Sequence, residues 1–276
     1  MMRSLWTAAS GMRAQQTNVD TIAHNLSNVN TIGYKNEQAS FKSLLYQNLQ
    51  SKSTNNAGEE KPVPAEVGLG SRVAAITSQF SQGAMLASDS ALSMAIEGDG
   101  FFAVRVADGT TQYSRDGGFQ LSPTDNGNLL VNANGDMVLD TNGNPITLPA
   151  ERVATDLIVN RDGTIAFPGE DNNPVKLTDA QGREVQISLY QFSNPAGLSK
   201  EGNNNYSPTV ASGDPIAELN NPNVTPSKIH QFYTEGSNVD VANEMVNLIV
   251  AQRAYEMNSK AIQTTDDMMQ QANNLR

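Results

Sequence analysis

His24 and His230 are the only imidazoles in the chain, and there is no cysteine. Disulfides, thiolate metal sites and cysteine nucleophiles are therefore excluded. The two histidines stand alone in sequence, without the neighbours that a metal site or a catalytic triad would need. His24 falls on a helical pattern beside Asn25, where the expected role is hydrogen bonding at a surface or interface. Gly98-Asp99-Gly100-Phe101-Phe102-Ala103 has the spacing of a dinucleotide loop. That chemistry needs a helix N-terminus facing the pyrophosphate, however, and the residues that follow read as a strand. Asp140, Asn142, Asn144 and Glu151 stand at positions 1, 3, 5 and 12 of a calcium-loop pattern, but Pro145 occupies the position that needs glycine. There is no G-x-S-x-G, H-E-x-x-H or P-loop, and no carboxylate pair stands out from an acidic surface. The expectation is a protein without catalytic residues, metal site or cofactor, and not an enzyme.

The elements around these residues divide the chain. Its 276 residues carry 18 Lys+Arg against 29 Asp+Glu, a net charge of −11, which argues against nucleic acid. All 12 prolines lie between Pro62 and Pro226, and Gly11, Gly33 and Gly236 are the only glycines in segments 1–36 and 235–276. Those end segments hold 6 basic and 7 acidic residues, so the acidity belongs to the middle. No run approaches the ~20 apolar residues of a membrane span, and the start lacks the apolar stretch of a cleavable signal peptide.

Leu5, Met12, Val19 and Leu26 recur at seven-residue intervals, with Ala9, Gln16 and Ala23 at the alternate heptad position. Val241, Leu248, Tyr255, Ile262 and Met269 repeat in the same way, flanked by Met245, Ala251, Asn258, Thr265 and Ala272. Each end is expected to be a long helix with one apolar seam. Ser237, Asn238 and Asp240 are candidate caps for the second helix, and Asn274 and Arg276 close it. A seam needs a partner, and the nearest is the other terminal helix, in a two-helix coiled coil. The many Ala, Asn, Gln and Thr residues in the seams leave room for helices of neighbouring copies.

The middle reads as strands, among them Phe101–Val106, Asn128–Val131, Met137–Leu139 and Val185–Phe192. Asp108-Gly109, Asp116-Gly117, Asn126-Gly127, Asn134-Gly135, Asn142-Gly143 and Asp162-Gly163 are expected to form type I′ hairpin turns. Residues 51–65 have little to bury and read as a linker or an arm that orders on contact. The expected class is α+β, with N- and C-terminal helices forming a coiled coil around a central, mainly antiparallel β domain. The boundaries are 1–45 and 232–276 for the helical domain, 46–70 for the arm and 71–231 for the β-rich domain.

Asn25-Leu26-Ser27-Asn28-Val29-Asn30-Thr31-Ile32-Gly33-Tyr34-Lys35 resembles the signature N-L-x-N-x-x-T-x-G-[FY]-K of the bacterial flagellar rod and hook axial proteins. Ser4 to Gln16, Glu235 to Asp240 and Gln252 to Lys260 resemble the ends of its distal rod members. Ala95–Val104 and Tyr113–Phe119 are similar to the family's β-domain motifs. The resemblance spans nearly the whole chain, with the blocks in the family's order. It implies a structural subunit that polymerises into a helical tube, the distal rod of the flagellar basal body, which transmits torque from motor to hook. The alternative is a proximal rod or short hook-type protein of the same family. Implied partners are copies of itself, other rod proteins and the hook protein, the rings around the rod, and the flagellar export apparatus, which would explain the missing signal peptide. The implied location is the basal body, outside the cytoplasmic membrane. The implied assembly residues are the seam, Leu5, Met12, Val19, Leu26, Val241, Leu248, Tyr255, Ile262 and Met269. Asn25, Asn28, Thr31 and Gly33 would end the first helix and turn the chain into the arm.

Overall fold

The computed structural model describes residues 2–50, 65–124, 127–149, 154–169, 174–178, 182–222 and 224–274. Most of the expected arm, together with Asn126, Glu151 and Arg276, lies outside them. The chain separates into a first unit, Met1–Ser27 with Glu37–Ser78 and Asp240–Arg276, and a second unit, Asn28–Asn36 with Gln79–Val239.

The first unit holds α1 (Met2–Ser27), β1 (Glu37–Ser43), β2 (Tyr46–Gln50), β3 (Ala65–Gly68), β4 (Ser71–Ser78) and α2 (Val241–Asn274). At 26 and 34 residues, the helices are rods of roughly 39 and 51 Å. Of the three candidate caps, Asp240 starts α2. Its carboxylate accepts from the amide of Ala242 at 2.9 Å and that of Asn243 at 3.4 Å, supplying partners that the first turn lacks. The two helices pack on each other. Gly11 lies opposite Asn258, and Gln16 and Val19 share a groove with Gln252, Tyr255 and Glu256, so they run antiparallel.

Strands β1 and β4, then β2 and β3, form a long antiparallel ribbon from Glu37↔Ser78 through Tyr46↔Gly68 to Gln50↔Ala65, with register shifts between Ser40 and Phe41 and between Asn48 and Gln50. α1 packs on β1 and β4 as well as on α2. Its buried surface is therefore wider than one seam, and Ala8, Ala14, Thr21, Ile22 and Asn25 are its most buried residues. The expected alternate positions Gln16 and Ala23 are exposed instead. Gly11 makes room for a side chain of α2: a Cβ there would lie 3.0 Å from Asn258 Nδ2.

The second unit is built from strands β5 (Met85–Ala87), β6 (Met94–Glu97), β7 (Phe101–Arg105), β8 (Thr111–Ser114), β9 (Gln120–Thr124), β10 (Gly127–Val131), β11 (Met137–Val138) and β12 (Thr147–Leu148). It continues with β13 (Ile158–Val159), β14 (Ile165–Pro168), β15 (Pro174–Lys176), β16 (Leu189–Gln191), β17 (Ser199–Gly202), β18 (Asn205–Ser207), β19 (Ile216–Ala217), β20 (Lys228–Gln231) and β21 (Tyr233–Glu235). The largest sheet runs β12-β10-β11-β7-β8-β18-β17, with β16 and β9 branching from it, and every pairing is antiparallel. β7 is buried on both faces. Phe102 and Val104 join one core with Met94, Ile96, Leu130, Ile187 and Ile229, while Phe101 and Ala103 join a second with Tyr113, Leu139, Phe192 and Tyr206. That double burial is why its sequence is a continuous apolar run rather than an alternation.

The turns differ from the expectation in kind. At Asp108-Gly109, Asn134-Gly135, Asn142-Gly143 and Asp162-Gly163 only the glycine has positive φ, between 78° and 89°. The glycine amide reaches back three residues, as from Gly135 to the Asn132 carbonyl at 3.0 Å, and the Asn132 amide bonds the Asp136 carbonyl at 2.9 Å. These are three-residue loops, a type I turn followed by a bulged glycine. The Asx residue is free to stay right-handed because the glycine alone supplies the left-handed step. At the turn from β17 to β18 three consecutive residues have positive φ, Gly202 at 90°, Asn203 at 51° and Asn204 at 59°. Asp116-Gly117 is no hairpin turn: Gly117 pairs its carbonyl with the Met94 amide at 2.9 Å. Val185–Phe192 forms a strand only at Leu189–Gln191, because Gln186 and Ile187 bridge Thr164 and Asp140 instead of following one neighbour.

Candidate functional site

Three sequence blocks converge inside the second unit. Lys35, Arg115 and Glu235 are each at most 1% exposed. Lys35 Nζ lies 2.6 Å from Glu235 Oε1, and Arg115 Nη1 lies 3.3 Å from Glu235 Oε2. The Gly83 amide donates to the same carboxylate at 2.8 Å. Lys35 also donates to the Ser81 carbonyl at 2.8 Å, and Arg115 Nη2 to the Gly98 carbonyl at 2.7 Å. The Arg115 guanidinium stands 5.0 Å over the Phe101 ring, where the face of the ring favours a cation. Burial and the nearby Arg115 charge lower the Lys35 pKa, and Glu235 opposes both. The chemistry of the arrangement is cohesion, since each buried charge needs its partner.

This cluster ties the two stretches of chain that build the unit, Lys35 belonging to Asn28–Asn36 and Arg115 and Glu235 to Gln79–Val239. Gly33 donates to the Glu235 carbonyl at 2.8 Å, and the Asn36 amide donates to Asn238 Oδ1 at 2.7 Å. Asn238 Nδ2 in turn donates to the Gln79 carbonyl at 2.8 Å. Gly33 has φ 70°, and a Cβ there would lie 2.9 Å from Arg115 backbone carbon, so the position needs glycine for both reasons. Sequence reasoning singled out Gly33 but missed Lys35, Arg115 and Glu235. The available signal was three charged residues, each inside one of the quoted blocks.

The remaining sequence-chosen residues divide by burial. Leu5, Met12, Val19, Leu26, Leu248, Ile262 and Met269 are half-buried, while Val241 and Tyr255 are exposed. Asn25 is buried, and its side chain brackets the start of β1: Nδ2 donates to the Glu37 carbonyl at 2.8 Å and Oδ1 accepts from the Glu37 amide at 2.9 Å. α1 ends at Ser27; beyond it Asn28 Oδ1 accepts from Thr31 Oγ1 at 3.1 Å and the Asn28 carbonyl from the Thr31 amide at 3.2 Å. Sequence reasoning did not find a second apolar stripe on α2, where Val246, Ile249, Val250 and Met257 are all more than half exposed. Leu45, Tyr46 and Leu49 stand out of the ribbon in the same way, and Trp6 out of α1.

The residues that suggested chemistry have structural work. His230 Nε2 lies 2.7 Å from Glu97 Oε2, a hydrogen bond that lowers the Glu97 pKa. His24 is exposed on α1. Asp140 Oδ1 accepts from the amides of Asn142 at 2.7 Å and Asn144 at 2.9 Å, which spends that oxygen on its own turn. Gly98-Asp99-Gly100 leads into β7, not into a helix. Among the described residues no three His, Asp or Glu side chains are grouped to hold a metal ion, and no helix is long and apolar enough to cross a membrane.

Three family patterns match the chain in order: flagella basal body rod protein at residues 5–35, the D1 domain of the flagellar hook protein FlgE/F/G at 95–167, and the flagellar basal body rod FlgEFG protein C-terminal at 230–275. The first and third contain Lys35 and Glu235, and the second contains Arg115. Similar chains are the flagellar basal-body rod protein FlgG of Borreliella burgdorferi, 43% identical over 100% of this chain and 99% of its own, and that of Agrobacterium fabrum, 39% identical over 97% of each. The FlgG of Bacillus subtilis is 34% identical over the full length of both. The motif blocks and the full-length likeness to these rod proteins have one explanation: this chain belongs to the family of flagellar basal-body rod proteins.

Proposed function

We propose that the chain is a structural subunit that self-assembles into the distal rod of the flagellar basal body, a helical tube that carries torque from motor to hook. The observation that carries this reading is the second stripe of α2. One face of the helix is occupied by α1, with Ala251 and Thr265 buried, while Val246, Ile249, Val250 and Met257 face outward. In the assembled tube a neighbouring copy covers them, and each such side chain buried contributes ~1.5–3 kcal/mol. A tube needs one patch to meet a different patch on the next copy, a contact that never closes on itself. Within this reading α1 and α2 pair as a coiled coil through Leu5, Met12, Val19, Leu26, Val241, Leu248, Tyr255, Ile262 and Met269, and residues 1–45 and 232–276 form the inner layer. Residues 46–70 act as an arm bracing neighbours through Tyr46 and Leu49, and residues 71–231 form the outer layer. Asn25, Asn28, Thr31 and Gly33 fix how the chain leaves α1.

The role is mechanical and not enzymatic. Lys35 and Arg115 share the Glu235 carboxylate, so force arriving through residues 28–36 or through 233–239 reaches Arg115 at the end of β8. Partners in this reading are other rod proteins, the hook protein and the surrounding rings, with delivery by the flagellar export apparatus. A photo-activated benzophenone amino acid in place of Val250, irradiated in basal bodies isolated from a complemented deletion strain, needs no matching group on the neighbour and is expected to cross-link copies of the chain into ladders. Monomer alone, in basal bodies that contain the chain, overturns the proposed contact, and cross-links confined to the proximal rod or the hook assign the chain to the alternative position.

A further inference from the structure

The second unit is closed by its last residues. Within 227–239, β20 pairs with β6 from Lys228↔Glu97 to Gln231↔Met94, and β21 pairs with β5 from Tyr233↔Ala87 to Glu235↔Met85. Between them Phe232 takes φ 65°, which re-aims the chain from one partner to the other. Ser227 Oγ accepts from the Gly100 amide at 3.0 Å, and Ile229 fills the core at 1% exposure. Gln231 holds three backbone groups, donating to the Ala91 and Leu157 carbonyls at 2.8 and 2.7 Å and accepting from the Val159 amide at 3.0 Å. Glu235 then supplies, among the described residues, the only carboxylate within ion-pair distance of Lys35 or Arg115. Those cations precede it in the chain by 200 and 120 positions.

We propose that residues 227–239 are a closing strap whose arrival gates folding of the whole second unit, because the pocket that packs Phe101 against Arg115 cannot be buried while both cations lack their carboxylate. Without the strap, the Lys35 ammonium keeps the Ser81 carbonyl and the Arg115 guanidinium keeps the Gly98 carbonyl, and the more distant Asp99 still acts on Lys35, but two positive charges are left to be desolvated with no carboxylate in ion-pair contact. An unpaired buried charge is among the most destabilising features a core can hold. Synthesis releases residues 1–226 first, so the unit stays open until nearly the whole chain is available. The inference concerns folding order and stands apart from the rod reading.

The test uses the full chain, refolded from denaturant and sampled by pulsed hydrogen exchange. In the native sequence the amides of Ala103 and Val104 on β7 are expected to gain protection together with those of Ile229 and Thr234, with no earlier phase. In K35M/R115M/E235M, which removes the charges and keeps apolar volume, β7 is expected to become protected about tenfold sooner than the strap. The E235Q chain is expected to lose the coupled phase and to leave β7 unprotected under conditions where the native chain is folded. Protection of β7 ahead of the strap in the native chain overturns the proposal. So does a triple variant in which the two regions still close together, which would assign the delay to strand pairing alone.

Discussion

Lys35 Nζ and Glu235 Oε1 meet at 2.6 Å across 200 positions of sequence, both fully buried. Through this contact a residue just past the first helix and one just before the second become neighbours. Glu235→Gln keeps the shape of the side chain and removes its charge, so it leaves two buried cations without a counter-ion. The expected loss is about 3–5 kcal/mol of stability, read as a lowered midpoint in denaturant titration with the transition followed by tyrosine fluorescence.

Gly33 and Gly135 separate two causes of glycine dependence. Both have positive φ, but only Gly33 faces backbone, with Arg115 carbon 2.9 Å from a built Cβ; around Gly135 there is open space. Alanine at Gly135 is expected to cost about 1 kcal/mol, the left-handed penalty alone. At Gly33 the same substitution is expected to cost at least about 2 kcal/mol more, because backbone must move. Melting curves of the two variants decide it.

The exposed stripe of α2 predicts a separation of stability from assembly. Val246→Lys and Val250→Lys change side chains 60% and 62% exposed, and each is expected to alter monomer stability by no more than about 0.5 kcal/mol. Assembly into sedimentable filaments, and motility of a complemented strain, are expected to be lost. Ile262→Ala, in the half-buried face, is expected to lower the stability of the helical unit as well.

Tyr113 gives a pH signature. Burial and the Tyr190 phenol beside it push its pKa to about 12 from an ordinary 10. Between those values the folded chain holds a proton that the unfolded chain has released, so this contribution is complete below pH 10 and is lost as pH rises to about 12. Tyr113→Phe keeps the edge-to-face contact with Phe192 at 4.9 Å and is expected to flatten the fall in stability over that window. An unchanged slope in the variant assigns the fall to other groups.

Both helices were legible in the sequence because a seven-residue apolar period is a local signal; so was β7, because an apolar run buried on two faces needs no partner to be recognised. The ribbon was not. Glu37-Gln38-Ala39-Ser40-Phe41-Lys42-Ser43 has no strong strand preference and is held by β4, α1 and the Asn25 bracket. The Asx-Gly pairs marked loops correctly but left the turn type open, since one left-handed glycine suffices when the loop has three residues. The outward stripe of α2 was hidden because a helix with two apolar faces blurs its own period. The Lys35–Glu235–Arg115 junction was out of reach for any local pattern, as its partners meet only after the chain has closed.

The central claim is assembly through the outward face of α2, and the direct measurement is hydrogen exchange on the purified chain as its concentration is raised, read separately for monomer and sedimented material. The account predicts that amides of Val241–Asn274 slow markedly in the sediment, with the largest change around Val246 to Met257, and that Val250→Lys abolishes both sediment and change. Filaments in which this helix exchanges as it does in the monomer would contradict it.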